Sequence, residues 1–187
     1  MKRNLPAVLL LLACCVGLST FAAPKLQLAK QGDTSYSIVK PRNPTAVDAY
    51  AIKHLARCLE QVTGAAFPVV TAERTDTPNP AIFVGISAPA LKHLDRNPLE
   101  HLTGEEHVTR SIGDNIFLYG KGPRGNMYAV TAFLKSALGW RWYAVFEHPV
   151  VPSSPTVELT PFHEKLDFSF RYREIIPYFD DTFYYRN

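Results

Sequence analysis

This chain of 187 residues is poor in the residues that usually mark a chemical site. It has 3 cysteines, and Cys14 and Cys15 fall in an apolar leader. Cys58 is then left alone, which excludes a disulfide framework and suits a small apolar filler on a helix. No HExxH, CxxC, GxSxG or Walker pattern occurs. The usual marks of zinc proteases, dithiol redox enzymes, serine hydrolases and P-loop enzymes are therefore missing. The six histidines (His54, His93, His101, His107, His148, His163) show no metal-ligand spacing, so no metal and no cofactor is expected. There is no run of Lys and Arg, no internal repeat and no low-complexity tract. Without a basic stripe, nucleic acid is not an expected partner.

What the chain does have begins with a leader. Lys2 and Arg3 precede an apolar stretch at 5–18, and 19–23 is small except for Phe21. This pattern predicts a secretory signal peptide over 1–22, too short for a membrane span. Cleavage is expected after Ala22, because Thr20 and Ala22 are small and Pro24 stays off the scissile bond. The mature protein is then secreted or periplasmic. An alternative is open: Leu11-Leu12-Ala13-Cys14 resembles a bacterial lipobox, which would acylate Cys14 and make an envelope lipoprotein. Membrane contact is expected only in that case. Removing Lys2 and Arg3 lowers the basic count from 20 to 18 against 17 acidic residues, a net charge of about +1. About 165 mature residues suffice for one domain with a core, but not for an added (β/α)8 barrel.

Periodicity orders the elements. The stretch 26–39 reads as a strand pair turning at Gln31-Gly32-Asp33. Asn43-Pro44-Thr45 opens a helix, with Thr45 and Asp48 spaced as a capping box. Ile52, Leu55, Leu59 and Val62 form its buried stripe, and Gly64 is its left-handed cap. A short strand at 67–71 and a polar loop at 74–80 follow. The run AIFVGI at 81–86 predicts a strand covered on both faces. A short helix at 88–94 and a loop-rich stretch to Glu106 lead to a hairpin, 107–112 and 116–119, turning at Gly113-Asp114-Asn115. Pro123 opens a second long helix with Met127, Val130, Phe133, Leu134, Ala137 and Leu138 on its apolar face, closed by Gly139. An aromatic extended segment at 140–151 and a linker at 152–161 with one short strand complete this unit. A new strand pattern, LDFSFRY, begins at Leu166. Aromatic sequence to Asn187 cannot bury itself alone, so the chain reads as the front piece of a longer protein.

Gly120, Gly122 and Gly125 spell GxGxxG between a strand and a helix. One reading is a dinucleotide turn, which needs backbone N–H groups aimed at a pyrophosphate. Pro123 removes a donor from the loop, the preceding strand reads as part of a hairpin, and Glu147, 22 residues after Gly125, follows no buried Val/Ile strand. The other reading makes Gly120 a strand end, Gly122 a turn and Gly125 a place where helix and sheet approach closely. The second is favoured, and no nucleotide partner is expected.

The block RGNMYAVTAFLKSALGWRWY at 124–143 resembles a signature of secreted bacterial proteins that carry an α-glucuronidase-type N-terminal domain. In that family a barrel domain of unknown function, related to glycoside hydrolases, usually follows. YAIKHLARCLEQVTGAAFP at 50–68, AIFVGIS at 81–87 and FSFRYRE at 168–174 are similar to other stretches of the same family. The resemblance implies an α+β fold, an α/β two-layer sandwich like the second domain of family 20 hexosaminidases. A mixed β-sheet would carry two main helices on one face, over 25–160, and the first strand of a truncated (β/α)8 barrel would begin within 161–187. The element order read from periodicity agrees. The resemblance further implies hydrolysis of glycosidic bonds in polysaccharide breakdown by the barrel, with a carbohydrate as partner and no turnover by this chain alone. A stand-alone carbohydrate-binding or envelope interaction module is the competing reading.

On that resemblance Arg173, Glu174 and Asp181 are the candidate substrate-binding residues. Arg173 would end the first barrel strand, where its fork of donors suits two adjacent hydroxyls. Pairing of Arg173 with Glu174, Asp180 or Asp181 as scaffold is equally open. A glycosidase needs two carboxylates about 5 to 9 Å apart, and a sugar-binding or structural duty suits these three better. Tyr178, Phe179, Phe183, Tyr184 and Tyr185 read as barrel core or sugar platforms. Glu105-Glu106 reads as a solvated turn. Arg124 is expected to pair with a carboxylate or brace the next domain, and Trp140 and Trp142 to cover that interface or stack on a sugar.

Overall fold

The computed structural model describes residues 25–72, 78–94, 97–143 and 148–169. The expected signal peptide and the segment from 170 onward lie outside them. The first helix, α1 (Ala46–Thr63), starts as its sequence dictates. Thr45 Oγ1 accepts from the Asp48 N–H at 3.1 Å, while Asp48 Oδ2 accepts from the Thr45 N–H at 3.1 Å. This reciprocal cap satisfies two donors that the helix cannot. Gly64 ends the helix at φ 75. Leu55, Cys58 and Leu59 are fully buried along its inner stripe.

Six strands form the main sheet: β2 (Ser37–Lys40), β3 (Val69–Thr71), β4 (Ala81–Val84), β5 (His107–Ile112), β6 (Asn115–Gly120) and β8 (His163–Leu166). Their order is β3-β2-β4-β6-β5-β8. The first four of that order run parallel, and β5 and β8 join antiparallel at one edge. The sheet is therefore mixed. Alternation along β4 and β6 divides two apolar layers. Ile82, Val84, Ile116 and Leu118 face α1 and α2 (Gly125–Ala137). Phe83, Phe117 and Tyr119 face Ala90, Leu94 and Leu102 on the opposite side. Both helices cover one face, and the loops around the 3-10 turn Ala90–Lys92 cover the other. Each fully buried Leu, Ile or Phe side chain contributes roughly 1.5–3 kcal/mol of transfer free energy.

Two expectations are corrected. The stretch 26–39 is not a strand pair. β1 (Leu26–Ala29) pairs antiparallel with β7 (Val157–Leu159) in a separate two-stranded sheet, while β2 lies between β3 and β4. The turn at Gln31-Gly32 forms, closed by mutual Lys30–Asp33 backbone bonds of 2.8 and 3.0 Å, but the strands diverge beyond it. The reason is burial. Ile38 belongs to the apolar layer on one side of the six-stranded sheet and Val39 to the layer on the other, so β2 is covered on both faces. The strand before the Gly-rich turn is also not confined to a hairpin, because β6 is a parallel neighbour of β4 as well. At the far edge of the sheet, β8 pairs with β5.

Candidate functional site

Arg173, Glu174 and Asp181, the residues singled out from the sequence, lie outside the described residues, as does Asp180. The structure places the Gly-rich turn and two adjoining grooves instead.

The turn joins β6 to α2 at the carboxyl edge of the parallel strands. Gly120 and Gly125 touch backbone to backbone. A Cβ on Gly120 would lie 2.6 Å from the Gly125 carbonyl oxygen, and one on Gly125 would lie 2.7 Å from that of Gly120. Gly122 turns the chain at φ 76. Three backbone donors of the turn are occupied by the protein itself. Gly120 N–H donates to Asn126 Oδ1 at 3.2 Å, Lys121 N–H to Glu106 O at 2.9 Å, and Gly125 N–H to Gly122 O at 3.3 Å. Pro123 has none to give. The three glycines thus serve a close crossing of helix and sheet. Asn126 completes the junction by donating to Asp48 Oδ1 at 2.9 Å. Sequence reasoning passed over Asn126, and its position one residue inside the second helix was the available signal.

Beside this junction, α2 and the β5–β8 edge enclose a groove of about 510 Å³. His107 forms its floor at 4% exposure. Its Nδ1 lies 3.2 Å from the Glu105 carbonyl, which fixes Nδ1 as the donor. Tyr128 and Phe168 pack on the imidazole, with centroids 5.9 and 5.6 Å away, and meet each other edge-on at 4.8 Å. Burial pushes the His107 pKa below its ordinary value, against the opposing pull of the Glu105 carbonyl and the Asp167 carboxylate. The Tyr128 side chain first, then the Glu105 charge, raise the pKa of the exposed Arg124. Tyr128 Oη donates to Glu105 Oε1 at 3.5 Å.

Glu106 is more than a solvated turn residue. It accepts the Thr103 N–H at 2.6 Å and pairs with Lys165 of β8 at 3.0 Å. The Thr103 bond first, then Lys165, hold its pKa below the usual carboxylate value.

A second cavity of about 440 Å³ adjoins the first through Thr131, Lys135 and Arg141. Trp140, buried at 1%, and the exposed Trp142 and Tyr143 line it. Trp142 lies 5.6 Å from Trp140 and 5.5 Å from the His54 ring, which in turn stacks on Tyr50 at 6.0 Å. Tyr50 and His54 stand one helical turn apart, a spacing legible in the sequence once Ile52 and Leu55 are assigned to the core. Among the described residues, no three His, Cys, Asp or Glu side chains gather as a metal-binding group.

No protein-family model matches the chain, and neither does any curated protein. Solved structures that are distantly similar include two glycoside hydrolases. CpGH84D aligns at 13% identity over 59% of this chain and 18% of that one, with a TM-score of 0.37. A GH138 enzyme targeting pectin rhamnogalacturonan II aligns at 15% identity over 62% of this chain and 15% of that one, with a TM-score of 0.32. Both neighbours are glycoside hydrolases, and the chain spans less than a fifth of either.

Proposed function

We propose that this chain supplies the non-catalytic N-terminal domain of an exported carbohydrate-active enzyme, a glycoside hydrolase of the α-glucuronidase or hexosaminidase kind. In this reading a following barrel hydrolyses glycosidic bonds with paired carboxylates through an oxocarbenium-like transition state. Arg173, Glu174 and Asp181 bind sugar at the barrel mouth. Export follows from the leader at 1–22, and acylation of Cys14 is the variant that would tether the protein to the envelope.

The observation that carries the proposal is the seat of Phe168. This residue opens FSFRYRE, the segment similar to the family's first barrel strand, and it packs on His107 and Tyr128. Tyr128 belongs to the 124–143 signature, so two stretches similar to the family meet in one contact. The glycine crossing agrees with a packing role for the same block.

The test compares two polypeptides, the 187-residue chain and the product of the reading frame continued past Asn187. Both are assayed on aryl glycosides and on plant and bacterial polysaccharides. The proposal expects several hundred further codons, hydrolysis by the longer product and none by the shorter. A stop codon after Asn187, or a longer product that cleaves no glycoside, would overturn it.

A further inference from the structure

The cavity beside Trp142 carries features that the packing of the domain does not use. Trp142 and Tyr143 are exposed at 44% and 72%, and Tyr50, beyond His54, at 57%. Large aromatic rings left open along one ledge present flat apolar faces to solvent. The only charged residues lining the smaller cavity are Lys135 and Arg141. Among the described residues, neither has a carboxylate within ion-pair distance. Arg141 is nevertheless held in place: its Nη1 donates to the carbonyls of Lys135 and, at 3.0 Å, of Trp140. A guanidinium anchored in this way keeps its remaining donors in a fixed fork, matched to a carboxylate.

Flat aromatic faces and unpaired cations together select a ligand with both an apolar ring face and a negative charge. A pyranose ring offers axial C–H bonds for the first, and a uronic acid adds a carboxylate for the second. We propose that the Trp142–Tyr143 ledge, with Lys135 and Arg141, is a binding site for the uronate residues of an acidic polysaccharide. The inference shares its ligand class with the proposed function and deepens it. It places a second sugar contact on this domain, away from Arg173 and the barrel mouth.

The ledge is tested on the mature chain by affinity electrophoresis through gels containing polygalacturonate, glucuronoxylan or a neutral galactan, at about 0.15 M salt so that diffuse charge attraction is screened. Retardation by the two acidic polymers and none by the galactan is expected. Trp142→Ala should weaken retention roughly three- to tenfold, and Trp142→Phe should restore most of it. Lys135→Met should reduce retention by the acidic polymers. Arg141→Lys, which keeps the charge but loses the fork, should do so too, and neither should lower the thermal midpoint appreciably. No retention by any acidic polymer overturns the inference, and so does equal retention by galactan or an undiminished Trp142→Ala variant. Glycoside hydrolysis by the longer polypeptide is scored separately. Uronate binding without hydrolysis keeps the ledge and removes the proposed enzyme, whereas hydrolysis without uronate binding does the reverse.

Discussion

Asn126 and Asp48 are joined by a 2.9 Å hydrogen bond that ties the N-terminus of one helix to that of the other. The amide oxygen of Asn126 also accepts from Gly120 at the end of β6. Asp48 spends its second oxygen on the Thr45 N–H and hydroxyl. Each group bonds to both elements that it joins, so neither can be changed without leaving a partly buried partner unpaired. Asn126→Ala is predicted to cost about 1–3 kcal/mol in urea denaturation. Asn126→Asp should cost more, because it replaces a donor with a second carboxylate against Asp48.

His107 predicts a pH dependence. Burial lowers its pKa in the folded chain below the ordinary 6.5. The unfolded chain therefore takes up the proton first as pH falls. Stability should be full above about pH 6.5 and decline as pH falls toward the lowered folded value. Burial shifts His54 the same way, with Arg57 adding to it, so its contribution has the same sign. His107→Phe should reduce the slope between pH 7 and 5 without abolishing it. Denaturation midpoints across that range check the point.

Glu106 holds the edge strand. Lys165 is half-exposed, so the ion pair alone should contribute under about 1 kcal/mol. Glu106→Gln is therefore predicted to change global stability little. It should instead speed hydrogen exchange at amides of the β5–β8 ladder, because Thr103 loses a charged acceptor as well. Exchange mass spectrometry separates that local effect from global unfolding.

Cys58 should be inert. Its side chain is fully buried, and burial pushes the thiol pKa up to about 11. Thiolate is the reactive form, so iodoacetamide at pH 8 should leave Cys58 of the mature native chain unmodified and alkylate it only on unfolding.

The sequence made local features plain. Thr45 with Asp48 and Gly64 bounded the first helix, AIFV marked a doubly covered strand, and Gly113-Asp114 marked the hairpin turn. Those signals act over a few residues. Partner choice between strands does not: Gln31-Gly32 forms its turn, yet burial of Ile38 and Val39 sends β2 into the six-stranded sheet and leaves Leu26 of β1 to pair with the distant Leu159. β8 was missed because His-Glu-Lys-Leu is exposed throughout and carries no apolar alternation, so only its pairing with β5 makes it a strand. The site was less legible still. The groove around His107 and the ledge around Trp142 each gather residues from distant parts of the chain, and no spacing within one segment announces them. Arg173, Glu174 and Asp181 remain expectations from the resemblance.

The close crossing at Gly120 and Gly125 underlies the whole account, because a phosphate cradle at the same glycines would point to different chemistry. Equilibrium urea denaturation of Gly125→Ala, with and without NADH, tests it most directly. The account predicts a loss of at least about 1–3 kcal/mol, since the three atoms in the way, Gly120 C, O and Cα, are backbone and cannot rotate aside, and no effect of NADH on either protein. An unchanged midpoint for Gly125→Ala, together with NADH stabilisation of the parent chain, would contradict it.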